Sequence, residues 1–155
     1  MNNLTFMAEC RDHTNTMTGT QGNDTQSKAI RNLHNLSQIH MNSTCLFIHQ
    51  HLSHVCIIFS DRALKSMLQA LYMKENNSVF PPHSLSLEDV MELTELDTVL
   101  FIHSMHFLAS LIDISLIEQM ESAHLKRLMQ RVDDVLIQLS ARVTTHPSEQ
   151  YHSIF

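Results

Sequence analysis

The chain has 155 residues, a formal net charge of −6 at pH 7 and an apolar fraction of 43%, which suits one globular domain with a real core. Its two glycines, Gly19 and Gly22, both lie near the N-terminus. Because phosphate-binding loops and tight hairpins need glycine, this composition excludes Rossmann and P-loop sites and favours an all-α fold. The acidic excess lies after Ser60, so we expect no direct binding of nucleic acid.

The N-terminal stretch differs in composition from the rest of the chain. Residues 1–26 are rich in Asn, Thr, Gly and Gln and show no apolar period, which predicts a disordered tail. An apolar period of helical type begins after Ser27 and predicts a first helix that continues to about Met41. The polar run 42–44 follows, and we expect it to end this helix and to cap the next one.

Two further helices are predicted before the proline pair at 81–82. Residues 45–59 carry apolar side chains on one helical face, and no glycine or hairpin turn nearby supplies a partner strand, so a helix is favoured over a buried strand. The Ser60-Asp61 pair is typical of a helix cap and predicts a separate helix that follows it, up to Lys74. The proline pair then makes the clearest break in the chain.

The segment 98–112 is the longest uncharged stretch of the second half. Ser86 and Asp89 form the pattern of a capping box before it, and a break near 96–97 is expected to separate two helices. The segment predicts the central buried helix of a bundle, and it is too short and too polar on one side to span a bilayer. Its polar side chains fall within about 80° of one another on a helix. They are His103, His106, Ser110 and Asp113.

The last predicted helix, 118–143, is amphipathic. Its apolar residues recur at intervals of three and four, and its charged residues, Asp133 among them, are assigned to the outer face. His146-Pro147 is expected to end the ordered part and to leave a loose C-terminal tail over 144–155. The sequence therefore predicts one all-α domain over 27–143, a bundle or short stack of five to six helices.

Acidic residues are concentrated in a short stretch that contains no Lys or Arg. The ordinary interpretation is a solvated face near a helix start, since the helix dipole favours acidic residues there. The second interpretation is a docking face for a basic protein partner. The five residues are Glu88, Asp89, Glu92, Glu95 and Asp97.

Two His-x-x-His pairs are the candidate metal ligands, His51 with His54 and His103 with His106. Each pair places two imidazoles one turn apart on the same side of a helix. If the two helices were antiparallel neighbours, the four imidazoles could bind Zn²⁺ or Cu²⁺. A chain with twelve histidines forms such pairs easily, and no His-Glu-x-x-His or Cys-x-x-Cys pattern accompanies them. A histidine-based metal-binding bundle is therefore the alternative interpretation, and no other cofactor is expected.

The sequence gives weaker support for a catalytic site than for a metal site. His103, Ser110 and Asp113 are the residue types of a hydrolase triad, but they are spaced i, i+7 and i+10 on one helix. The serine hydroxyl cannot reach the imidazole across two turns. We therefore expect that the chain is not an enzyme.

Cysteine usage and the N-terminus predict an intracellular protein, cytoplasmic or nuclear. Three cysteines are an odd number, which does not suggest a disulfide framework, and no basic-then-apolar signal pattern precedes the domain. Five Asn-x-Ser/Thr sequons are discordant and motivate a second alternative, a secreted four-helix signalling protein. A segment of a longer helical-repeat protein is a third possibility, although no repeat period is convincing.

Two segments, 45–59 and 98–117, are apolar on nearly all sides. A bundle of short helices encloses roughly one such helix, so part of this surface is expected to be covered by another protein. The sequence thus favours a non-catalytic helical scaffold or adaptor subunit that acts through protein–protein interaction, with the acidic stretch steering the partner. The purified chain is then expected to self-associate.

Overall fold

The computed structural model describes residues 9–111 and 113–155, with side chains from Gly22 onward. Six α-helices and no strand occur in these residues, which confirms the predicted all-α bundle. A single 3-10 turn, Pro147–Glu149, follows the last helix. The helices are α1 (Glu9–Ile48), α2 (Ser53–Glu75), α3 (Leu87–Leu93), α4 (Leu96–Ser110), α5 (Ser115–Glu118) and α6 (Ser122–Val143).

The central helix of the bundle is α2, and the prediction of a central helix at 98–112 was wrong. Helix α2 contacts all five other helices. Its buried residues include Ile57, Leu64 and Leu71, which are fully enclosed. Helix α4 by contrast buries one face only. The reason is that α2 is apolar at positions spread around its axis and is long enough to be covered from several sides.

Helix α1 continues through 42–44, where a break was predicted. Ser43 Oγ and Thr44 Oγ1 donate hydrogen bonds to carbonyls one turn back, those of Ile39 and His40, at 2.9 and 3.2 Å. Their polar groups are thus satisfied within the helix and do not cap a new one. The turn to α2 comes later, at 49–52, where His51 has a positive φ of 57°.

Helix α2 likewise runs without interruption through the Ser60-Asp61 pair, so the predicted cap was wrong. Ser60 is fully buried, and its Oγ donates to Met129 Sδ on α6 at 3.0 Å. Ser37 Oγ on α1 donates to the Ala63 carbonyl at 2.8 Å. Small hydroxyl-bearing residues therefore lie inside the α1–α2 contact, where each one finds an acceptor.

Cys56 belongs to the same buried layer. Its thiol donates to the carbonyl of Thr44 at 3.7 Å, and burial raises its pKa to about 11. The thiol is therefore protonated at neutral pH and acts as a small buried side chain.

The predicted capping box is confirmed at the start of α3. Ser86 Oγ accepts from the backbone N–H of Asp89, and the Asp89 carboxylate accepts from the backbone N–H of Ser86 at 2.7 Å. The expected break near 96–97 is also confirmed, because α3 ends at Leu93 and α4 begins at Leu96. Helix α4 ends at Ser110.

The segment after α6 is ordered, and the prediction of a loose tail over 144–155 was wrong. Tyr151 is buried, and its hydroxyl donates to Asp133 Oδ1 at 2.6 Å. Asp133, which was assigned to the outer face, is itself only 3% exposed. A buried carboxylate needs donors, and the segment supplies them.

Most of the predicted N-terminal tail, 1–26, lies outside the residues whose side chains are described. From Glu9 onward this stretch forms the first part of α1, which therefore begins before the predicted start after Ser27, and Gln26 Nε2 donates to the carbonyl of Met73 at 3.1 Å. No helix in the described part of the chain is both long and apolar enough to cross a membrane.

Candidate functional site

Three large apolar side chains lie exposed along one side of α4. Leu96, Leu100 and Phe107 are 65, 62 and 62% exposed. With His103 between them they are spaced i, i+4, i+7 and i+11, which places all four within about 60° on a helix. We call these four residues the α4 stripe.

The α4 stripe lies opposite the face by which α4 packs against the bundle. Val99, Ile102 and Met105 on that face are buried. Helix α4 contacts α2 and α3 but is not enclosed by them. Since its sequence is apolar on nearly all sides, the outer face exposes apolar residues to solvent. Scattered apolar residues are normal on a surface, but a row of them at helical spacing is typical of a face that another helix covers.

A cleft of about 300 Å³ lies beside the α4 stripe, between α2, α3 and α4. Leu64 and Leu68 of α2 and Val90 of α3 contribute to its apolar lining, and His103 lies at its edge. His106 Nδ1 is 3.4 Å from the Asp61 carboxylate at the same edge. The cleft therefore extends the apolar surface of α4 towards α2.

The five acidic residues of the stretch 88–97 lie in three different environments. Glu88 and Glu92 on α3 and Glu95, directly before Leu96, are exposed. Asp89 is held by the capping box, and its hydrogen bond with Ser86 lowers its pKa. Asp97 accepts from Arg131 of α6 at 3.0 Å.

Arg131, which pairs with Asp97, also contacts a second side of α4. The guanidinium of Arg131 lies 5.8 Å from the centroid of the Phe101 ring. Phe101, Leu108 and Leu128 form the floor of a shallow groove there, with Arg127 on its rim. Asp97 is thus held by an ion pair with α6, as Asp89 is held by the capping box.

The four candidate metal ligands do not come together. His103 and His106 lie on exposed parts of α4, whereas His51 lies in the α1–α2 turn. His54 Nε2 is buried and has no hydrogen-bond partner among the described residues. Within those residues no group of three or more His, Cys, Asp or Glu side chains is placed to hold a metal ion. The condition under which the four imidazoles could bind one metal ion is therefore not met in these residues.

The remaining polar residues of the stretch, Ser110 and Asp113, make local hydrogen bonds. Ser110 Oγ donates to the Phe107 carbonyl at 2.8 Å, and Asp113 Oδ1 accepts from the backbone N–H of Ser115 at 3.0 Å. The bond with Ser115 lowers the pKa of Asp113. These side chains end α4 and begin α5, which is an ordinary structural use of Ser and Asp.

Sequence reasoning missed a second set of residues, on α1 and α6, which hold the C-terminal segment. A signal for one of them was available. Asp133 shares the helical spacing i, i+4, i+7 and i+11 with Met129, Leu136 and Ser140, all of which are buried. The spacing thus placed the carboxylate on the inner face of α6, although its charge suggested the outer one.

Comparisons with protein-family models, with curated proteins and with solved structures found no match to this chain.

Proposed function

We propose that the chain is a non-catalytic helical scaffold or adaptor subunit that binds a protein partner through the α4 stripe. The observation that carries this proposal is the exposure of Leu96, Leu100 and Phe107 in one row on the outer face of α4. A partner helix packed along this row would make contacts at successive turns, as in helix-in-groove recognition.

The free energy available from the α4 stripe supports a specific contact. Complete burial of a Leu or Phe side chain contributes about 1.5–3 kcal/mol, and these three are each roughly two-thirds exposed. Their burial would contribute roughly 3–6 kcal/mol before the entropy of association is subtracted. This is a large share of the binding free energy of a micromolar complex, which is about 8 kcal/mol.

Charge indicates the kind of partner. Glu88 and Glu92 on α3 and Glu95, directly before α4, are exposed, and the whole chain carries a net charge of −6. A partner with Lys or Arg at the matching end would be steered to this face, whereas phosphate groups of nucleic acid would be repelled. We place this interaction inside the cell, which the free thiols Cys45 and Cys56 support.

Light scattering on the purified chain tests the proposal. With its partner absent, the wild-type protein is expected to self-associate, and the double variant Leu100→Gln/Phe107→Gln to remain monomeric. The matched control is Leu46→Gln on α1, since Leu46 is equally exposed at 67% but lies outside the α4 stripe. A wild-type protein that is a compact monomer at all concentrations would count against the proposal.

A further inference from the structure

The C-terminal segment, residues 150–155, lies in an extended conformation between α1 and α6. Tyr151 N donates to Ser140 Oγ of α6 at 2.8 Å, and Ile154 N donates to Asp133 Oδ1 at 3.2 Å. Seven helical residues from Ser140 back to Asp133 rise about 10.5 Å. Three extended residues from Tyr151 to Ile154 span about 10 Å. The segment therefore runs antiparallel to α6 with matched register.

The buried carboxylate of Asp133 accepts hydrogen bonds from two side chains of this segment. Asp133 accepts from the Tyr151 hydroxyl, at 2.6 Å, and from Ser153 Oγ, in addition to the backbone N–H of Ile154. Hydrogen bonds to a buried charged acceptor are among the strongest in proteins. A residue without a hydroxyl at either position would leave this carboxylate short of a donor.

The segment lies in a groove between α6 and α1, and the α1 side of this groove binds only the backbone of the segment. Gln38 of α1 accepts from His152 N at 2.8 Å through Oε1 and donates to the His152 carbonyl at 3.0 Å through Nε2. The side chain of His152 is exposed, so this position accepts any residue that keeps its backbone N–H. His34 Nε2, at 2.7 Å from Ser140 Oγ, orients the hydroxyl that receives Tyr151 N.

These contacts have the form of a peptide-recognition site, with main-chain hydrogen bonds for affinity and two hydroxyl-specific positions for selectivity. We propose that the groove formed by Gln38, Asp133 and Ser140 recognises extended segments of the pattern Tyr-x-Ser-Ile, and that it takes this segment from a second copy of the chain as well as from its own. Each copy carries both the groove and a matching ligand, so reciprocal exchange produces a closed two-fold dimer. The connection 144–149 is the hinge for this exchange.

The intramolecular arrangement has the advantage at low concentration. A ligand on a short tether has an effective concentration in the millimolar range, so wild-type protein at about 100 μM exchanges only about a tenth as readily as it closes on itself. Two variants in which closure on the own groove is weakened reduce this competition. Tyr151→Ala keeps the groove but lacks the ligand residue, and Asp133→Ala keeps the ligand but lacks the acceptor.

The experiment mixes these two full-length variants and measures mass by size-exclusion chromatography with light scattering. Both chains also carry Leu100→Gln and Phe107→Gln, so that association through the α4 stripe does not contribute. Each variant alone is expected to be monomeric, and the mixture to form a one-to-one heterodimer. A synthetic peptide Gln-Tyr-His-Ser-Ile-Phe is expected to dissociate it, and the same peptide with Phe in place of Tyr to be at least roughly tenfold weaker.

Far-UV circular dichroism reports whether each variant is folded. If Asp133→Ala does not fold, Gln38→Ala replaces it as the groove variant, since Gln38 lies at the edge of the bundle and its loss removes two bonds to His152. A mixture of folded variants that stays monomeric overturns the proposal. So does a heterodimer that also forms when Tyr151→Ala is present in both chains.

Discussion

Tyr151→Phe isolates one hydrogen bond of the C-terminal segment. The substitution keeps the ring, which is packed in the hydrophobic core, and removes only the hydroxyl that donates to Asp133 at 2.6 Å. A hydrogen bond to a charged, buried acceptor contributes about 1.5–3 kcal/mol. Asp133 keeps two donors, Ser153 and Ile154, so the carboxylate stays partly satisfied. We therefore expect the free energy of unfolding to fall by an amount within this range.

Urea unfolding at neutral pH measures this loss as a lower midpoint at unchanged slope. In thermal unfolding the same loss corresponds to roughly 3–12 °C for a chain of this size. The matched control is Tyr72→Phe, since Tyr72 is the only other tyrosine and is only partly buried on α2. The control is expected to change stability by less than about 0.5 kcal/mol. Equal, small effects of the two substitutions would show that the hydrogen bond from Tyr151 to Asp133 does not stabilise the fold.

Three further outcomes are expected. Burial lowers the pKa of His34 below its ordinary 6.5, so the unfolded state binds more protons on acidification. The free energy of unfolding is therefore expected to fall below about pH 6.5 because of His34. In His34→Gln, the urea midpoint is expected to decrease less between neutral pH and about pH 5.5. Burial and the nearby Asp133 carboxylate raise the pKa of Tyr151 above its ordinary 10.0. The free energy of unfolding is therefore expected to decrease above about pH 10, and to decrease less in Tyr151→Phe. An equal decrease in both proteins would contradict this. Met67→Ala in the core of α2 is expected to cost about 2–5 kcal/mol in urea unfolding, against less than about 0.5 for Met91→Ala, since Met91 is half exposed on α3.

Local sequence patterns predicted the parts of the fold that local physics determines. The capping box of Ser86 and Asp89 involves residues three apart, and the end of the last helix at Val143 follows from its own apolar period. The breaks predicted at 42–44 and at Ser60 failed for a different reason. Ser and Thr can either cap a helix or bond one turn back within it, and only the tertiary contacts of α1 with α2 decide between these uses.

The candidate site was less predictable than the fold. The apolar character of 98–112 was visible in the sequence, but which helix occupies the centre depends on how all six helices pack. Leu100 and Phe107 were therefore expected inside and lie outside. The segment around Tyr151 has too few apolar residues to show a period, and its order depends on contacts with Gln38 and Asp133, which are distant in the chain.

Site-specific photo-crosslinking in the cells that express the chain shows whether another protein covers the α4 stripe. A photoreactive phenylalanine derivative replaces Leu100 in the α4 stripe, and a control chain carries it at Gln138, which is exposed on α6. A partner that covers the α4 stripe is expected to yield one discrete protein adduct from position 100, lost when Phe107→Gln is added, and none from position 138. No adduct from position 100, or the same adducts from both positions, would contradict binding of a partner at the α4 stripe.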